Sequence, residues 1–144
     1  MNPLFKFLIW GFTAALLSGT VCYGYAYAYR QLTLVDYSAV INVYGMYGAS
    51  MVGCIAAAIG YWVLSLFIKN NWADIIHNFV FGAITWASLY GPFTFNLPDL
   101  GDEAPPGYFE MFYGLAVPLH FIPILCWLML RPFFRKDQQE IKLN

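Results

Sequence analysis

Charge is what this sequence lacks, and it lacks it in blocks. Stretches 7–29, 38–67, 75–95 and 109–130 contain no Asp, Lys or Arg, and their one Glu, Glu110, lies at an end. Only 10% of the 144 residues are charged, against 60% hydrophobic, whereas a soluble domain carries roughly a quarter charged. About 20 apolar residues in a helix cross a hydrocarbon core about 30 Å thick. Each stretch reaches that length, and the segments between them are too short for a soluble domain. The expected fold is all-α: an integral membrane four-helix transmembrane bundle forming a single domain over 1–144. An acidic external loop at 96–108 and a basic cytoplasmic tail at 131–144 complete it.

Other absences narrow the function. The N-terminal run continues through Tyr29 into Arg30, too long for a secretory signal, so it reads as a retained first span. Cys22, Cys54 and Cys126 form no CxxC pair and fall at different depths in three spans. That placement argues against disulfides and against thiol–quinone exchange; small buried thiols are the expected role. Deep carboxylates of the kind a small proton-coupled exporter needs are missing. So are the P-loop, GxSxG and HExxH patterns. No Cys or carboxylate completes a zinc set around the two histidines, and their depths differ by about 10 Å, too much for paired haem ligands. No cofactor, metal or catalytic set is expected. Nucleic acid is excluded as a partner, because the basic cluster at 131–136 reads as a membrane anchor.

The few cations are one-sided. Four crossings place Lys6, Lys69, Arg131, Arg135, Lys136 and Lys142 together, with only Arg30 opposite. Basic short loops stay in the cytoplasm, so both termini are expected there, with a bacterial inner (plasma) membrane as the expected setting. Tyrosines gather toward the outer half, Tyr61 excepted, while Trp10, Trp62, Trp72 and Trp127 lie toward the inner interface. Along 23–29, Tyr23 and Tyr27 share one helix face and Tyr25 and Tyr29 another. One of these faces is expected to meet the bundle, and the other lipid or a partner chain.

Helices in lipid associate through close backbone approach and buried hydrogen bonds. The second span carries Gly45, Ala49, Gly53 and Ala57 at four-residue spacing, and the first carries Gly11, Ala15 and Gly19. These rows predict tight contact between the two spans, and a homo-oligomer would use the same ridge. Asp36 or Ser38 is the expected cap of the second span. Gly91-Pro92 marks a kink or stop in the third. In the fourth, Pro118 and Pro123 free the carbonyls of Gly114 and Leu119.

Candidate chemistry centres on that bent fourth span. His120, between the prolines, lies near mid-membrane, where an ionisable group faces the bundle interior or a cavity. It is either a neutral lock on the bend or a proton or ligand site with Gly114. Asn42, Tyr44, Thr94, Asn96, Glu110 and Tyr113 are expected to form a polar outer cup if they converge. Secondary candidates are Asp74 and His77, three residues apart at the start of the third span; the Asp74 carboxylate is placed to orient the imidazole.

The leading expectation is a small non-catalytic subunit or accessory component of a larger membrane complex, with the lipid bilayer and a membrane-protein partner or a second copy as its contacts. The alternative is a small transporter, channel or receptor with its site around His120. A membrane enzyme using His120 as acid or base comes third.

Overall fold

The computed structural model describes residues 3–68, 71–97 and 105–140. They form five helices: α1 (Pro3–Thr33), α2 (Val43–Phe67), α3 (Asn71–Ser88), α4 (Tyr90–Thr94) and α5 (Tyr108–Glu140). There is no strand among the described residues. Segments Leu4–Thr33, Val43–Phe67 and Tyr108–Phe133 are long and apolar enough to cross a membrane. α3 is not among them: it has 18 residues, and Asn71, Asp74, His77 and Asn78 occupy its first two turns. Residues 98–104 of the acidic segment, together with Lys69 and Lys142, lie outside the described residues.

The second helix starts later than the apolar run suggests. Residues 38–42 make a turn, with the Val40 and Ile41 N–H groups donating to the Tyr37 carbonyl at 2.9 and 2.8 Å. Asn42 is the cap: its Oδ1 accepts from the Gly45 N–H at 2.7 Å. This corrects both expected caps. Asp36 instead accepts from the Ser38 N–H within the loop at 2.8 Å and pairs with Arg30 at 2.8 Å. The Ser38 backbone and then its side chain hold the Asp36 carboxyl below its ordinary range, with Arg30 adding a smaller pull. From Val43 the 25 residues of α2 rise about 37 Å, so the helix no longer overshoots the bilayer as far as a start at 38 implied.

Leu34 ends α1 in the left-handed region (φ 60), its N–H donating to the Arg30 carbonyl at 2.9 Å. Glycine usually fills this position, because a Cβ there meets the following carbonyl at a cost of about 1–2 kcal/mol. The Leu34 side chain is 87% exposed and packs on nothing that would offset the strain. Leu34→Gly should therefore raise stability by about 1 kcal/mol, read as a higher thermal midpoint in detergent.

Contacts along the helices fix their directions. Gly11 meets Ala58 and Cys54, Ser18 meets Ser50, and Gly19 meets Tyr47, so α2 returns antiparallel to α1. Trp10 stacks on Trp127 at 4.0 Å while Tyr25 reaches Gly114, so α5 is antiparallel to α1 as well. α2 thus ends at the level of Trp10, and α5 begins at the opposite end, beyond Tyr29. α3 and α4 cover the distance between. Asp74 lies by Tyr61 at the first level, and Trp86 by Phe121 and Phe93 by Tyr113 further along. A turn at Leu89 separates α3 from α4, with Pro92 buried in the latter.

The α1–α2 contact uses a different row of α2 from the one the small residues suggest. A Cβ on Gly11 would lie 2.7 Å from Ala58 Cβ and 2.9 Å from the Cys54 carbonyl, and one on Gly19 would overlap the Tyr47 ring. Ala15 is buried beside them. On α2 the facing row is Tyr47, Ser50, Cys54 and Ala58. Gly53 has no atom within 4 Å of a would-be Cβ, and Gly45 has only its own Asn42 cap. Ala57 is buried in the core next to Ala58. One residue along a helix is a rotation of about 100°. The Ser18–Ser50 hydroxyl pair, 3.0 Å apart and buried, fixes which of two adjacent small rows turns inward.

A tyrosine ladder joins α1 to α5. Tyr37 donates to the Tyr108 carbonyl at 2.5 Å, Tyr29 to Met111 at 2.7 Å and Tyr25 to Gly114 at 2.8 Å. Burial, then the neighbouring Tyr108 hydroxyl, pushes the Tyr37 phenol up to about 12. Tyr23 and Tyr27, on the other face, stay exposed. Gly114 matters twice: Pro118 removes its helical donor, and a Cβ there would lie 2.6 Å from the Tyr29 hydroxyl. Tyr25→Phe should therefore leave that carbonyl unpaired and destabilise the bundle by about 1–2 kcal/mol. Tyr29→Phe should cost less, because no proline follows Met111 at four residues and its carbonyl keeps a helical partner. Paired unfolding curves in detergent will show the difference.

Candidate functional site

Two groups of polar side chains stand inside this apolar frame, one at each histidine. The group at His77 is closed. Asp74, in the first turn of α3 where the helix dipole favours an anion, is buried at 6% exposure. Its Oδ1 accepts from the Tyr61 hydroxyl at 2.5 Å and its Oδ2 lies 2.5 Å from Arg131 Nη2. Asp74 therefore does not orient His77 as the sequence suggested. The imidazole instead reaches across to α2, with Nε2 2.9 Å from the Ala57 carbonyl. A carbonyl only accepts, so Nε2 carries the hydrogen and Nδ1 keeps the lone pair. That Nδ1 is buried without a hydrogen-bond partner. Aromatic rings seal the cluster: Tyr61 meets the His77 ring edge-on at 5.2 Å and Trp127 lies 5.4 Å from it. This group ties the starts of α3 and the ends of α2 and α5 together.

The second group opens on a cavity of about 470 Å³ bounded by α2, α3 and α5, with Cys22 of α1 and the turn at Val40 and Ile41 closing it. α5 contributes Ala116, Leu119, His120 and Pro123, and α3 contributes Phe81, Ile84, Thr85 and Ser88. The small residues Gly45, Ala49 and Gly53 form the α2 wall. The row expected to pack on α1 thus hollows out this space. His120 Nδ1 lies 2.8 Å from the Ala116 carbonyl, four residues back on its own helix. By the same reasoning Nδ1 is the donor, and Nε2 keeps its lone pair. The two histidines hold opposite tautomers, set by which nitrogen each turns to a carbonyl.

Of the other expected site residues, Asn42 reaches the outer rim of this cavity and also a second one of about 340 Å³, where Tyr44 and the Arg30–Asp36 pair join it. Thr94, Asn96, Glu110 and Tyr113 line neither. Thr94 donates to the Tyr90 carbonyl, Glu110 is exposed, and Tyr113 packs on Phe93 at 5.1 Å. The six therefore do not form one polar cup. Each finds a local partner or solvent at the end of its own helix. Gly114 faces the tyrosine ladder rather than the cavity.

Sequence reasoning missed Thr85, Ser88 and the Asp74–Arg131 pair. Thr85 and Ser88 stand three apart, one face of α3. Arg131 reads as a tail charge until a partner 57 residues away comes beside it. Among the described residues no three His, Cys, Asp or Glu side chains are grouped to hold a metal ion, and the three cysteines are free and buried. Comparison with protein families, with characterised proteins and with solved structures finds no match.

Proposed function

We propose that this chain is a four-pass integral membrane protein that binds a small apolar molecule from the bilayer in the cavity at His120, as a receptor or carrier does, without making or breaking bonds. The cavity carries the reading. Its volume falls in the range of small-molecule sites, about 300–1,000 Å³, and its lining is apolar with a few polar groups, the usual composition of such sites. α3 with α4 is the fourth crossing, supported by the path from the end of α2 to the start of α5 at the other end of the bundle. Even passage puts both termini on one side. The six-to-one division of Lys and Arg supports that side as the cytoplasmic one, and a bacterial inner membrane is the setting proposed.

A second reading, an accessory subunit, is favoured by one observation. Tyr23 and Tyr27 expose their rings on the face of α1 turned away from α5, and such rings anchor membrane-protein contacts as readily as headgroups. Extraction in mild detergent followed by mass spectrometry of small molecules and proteins separates the two. Cavity binding predicts a small molecule retained by the native chain and lost from Gly53→Leu, whose added side chain enters the cavity. A stoichiometric protein partner with no small molecule would overturn it in favour of the subunit.

A further inference from the structure

We infer that the occupant of the His120 cavity is a neutral, lipid-soluble molecule with a hydroxyl group, which donates its hydrogen to His120 Nε2. This rests on the cavity-binding reading and adds the chemistry of the ligand. Besides Asn42, five polar side chains from four helices line the cavity: Cys22, Ser50, Thr85, Ser88 and His120. Ser50 is paired with the Ser18 hydroxyl at 3.0 Å, and each of the other four has its hydrogen committed to a backbone carbonyl. His120 Nδ1 donates to Ala116 at 2.8 Å, Thr85 to Phe81 at 2.9 Å, Ser88 to Thr85 at 2.6 Å, and the Cys22 thiol faces Leu119 at 3.8 Å. What these groups retain is lone pairs, and the imidazole nitrogen is the strongest acceptor among them.

Polar groups in an apolar site decide which ligand fits. A ketone, quinone or ether brings only further acceptors to these four. A hydroxyl brings the donor they lack, and leaves no unpaired polar atom behind. An ammonium group also donates, but among the described residues no carboxylate lines the cavity to balance a buried charge. Asn42 also lines the cavity, where it is exposed and its Oδ1 is held by the Gly45 N–H. Ala49 and Ile84 are both exposed at the cavity's edge, partway along their helices. The opening therefore faces sideways, toward lipid, and suits a molecule that arrives from the bilayer.

The test uses the full chain in phosphatidylcholine nanodiscs, with 2-naphthol and its methyl ether as probes in fluorescence titrations. The two differ by one hydrogen-bond donor. Native protein should bind the naphthol at least tenfold more tightly than the ether. His120→Leu should bring the naphthol down to the ether's affinity, and Gly53→Leu should remove saturable binding of both. Equal affinities in the native protein would overturn the hydroxyl assignment and leave cavity binding standing, as would a naphthol preference that survives His120→Leu. Absence of saturable binding for either probe would overturn the cavity reading itself. The native comparison decides the matter even where His120→Leu does not fold.

Discussion

Arg131→Ala will destabilise the bundle by about 3 kcal/mol, the largest effect expected of any single truncation of a charged side chain here. The reason lies with the partner left behind. Asp74 is buried, and both its oxygens are engaged, one by the Tyr61 hydroxyl and one by the Arg131 guanidinium. Without Arg131 the buried carboxylate loses its guanidinium counter-charge, and breaking a buried pair in this way costs about 3–5 kcal/mol. Arg131 keeps about a quarter of its side chain exposed, at 24%, which places the effect at the lower end. Asp74→Asn on the Arg131→Ala background should recover much of the loss, because an amide needs no counter-charge. The cycle of two single variants and the double one, read from unfolding midpoints in detergent, isolates the pair. Additive losses would show that the ion pair contributes nothing beyond packing.

Gly11→Ala should cost about 2 kcal/mol, within the usual range for overpacking a closed contact. The new methyl meets Ala58 Cβ and the Cys54 carbonyl, and a backbone carbonyl on a packed helix has little room to retreat. Gly11→Leu should separate α1 from α2 and prevent recovery of folded protein. The contrast is Gly53→Leu. Its Cβ has open space, so stability should change by about 0.5 kcal/mol or less even though the side chain is far larger. Size alone would rank these three variants in another order; the geometry ranks them by what each new atom meets. Near-UV circular dichroism of the Trp10–Trp127 stack gives a readout of tertiary packing for all three.

The contrast also shows how far the chain could be read from its letters. Long uncharged runs announce membrane helices because composition alone decides transfer into hydrocarbon, and α1, α5 and the end of α2 follow them. The start of α2 did not follow, since Asn42 rather than Asp36 or Ser38 supplies the cap, and apolarity continues smoothly across the turn before it. Gly45, Ala49 and Gly53 were visible as a row. Nothing in their spacing says whether a small-residue row meets a helix or borders a space, because both require absent side chains. His120 was visible as an ionisable group deep in a bent helix. Its companions Thr85 and Ser88 were not, as hydroxyls in a membrane helix ordinarily bond back to their own carbonyls, and these two do. The Tyr23–Tyr29 run divided as the helical period requires, with the Tyr25 and Tyr29 hydroxyls bonded to α5 and the other two rings exposed.

The claim beneath all of this is that the chain passes through the bilayer four times, with α3 and α4 as one of the crossings. Single cysteines at Asn2→Cys, Pro106→Cys and Lys142→Cys, probed with a membrane-impermeant maleimide on intact spheroplasts, test it most directly. Pro106→Cys should label from outside, while the other two label only after lysis. Labelling of Asn2→Cys and Lys142→Cys from opposite sides would mean an odd number of crossings and contradict the account.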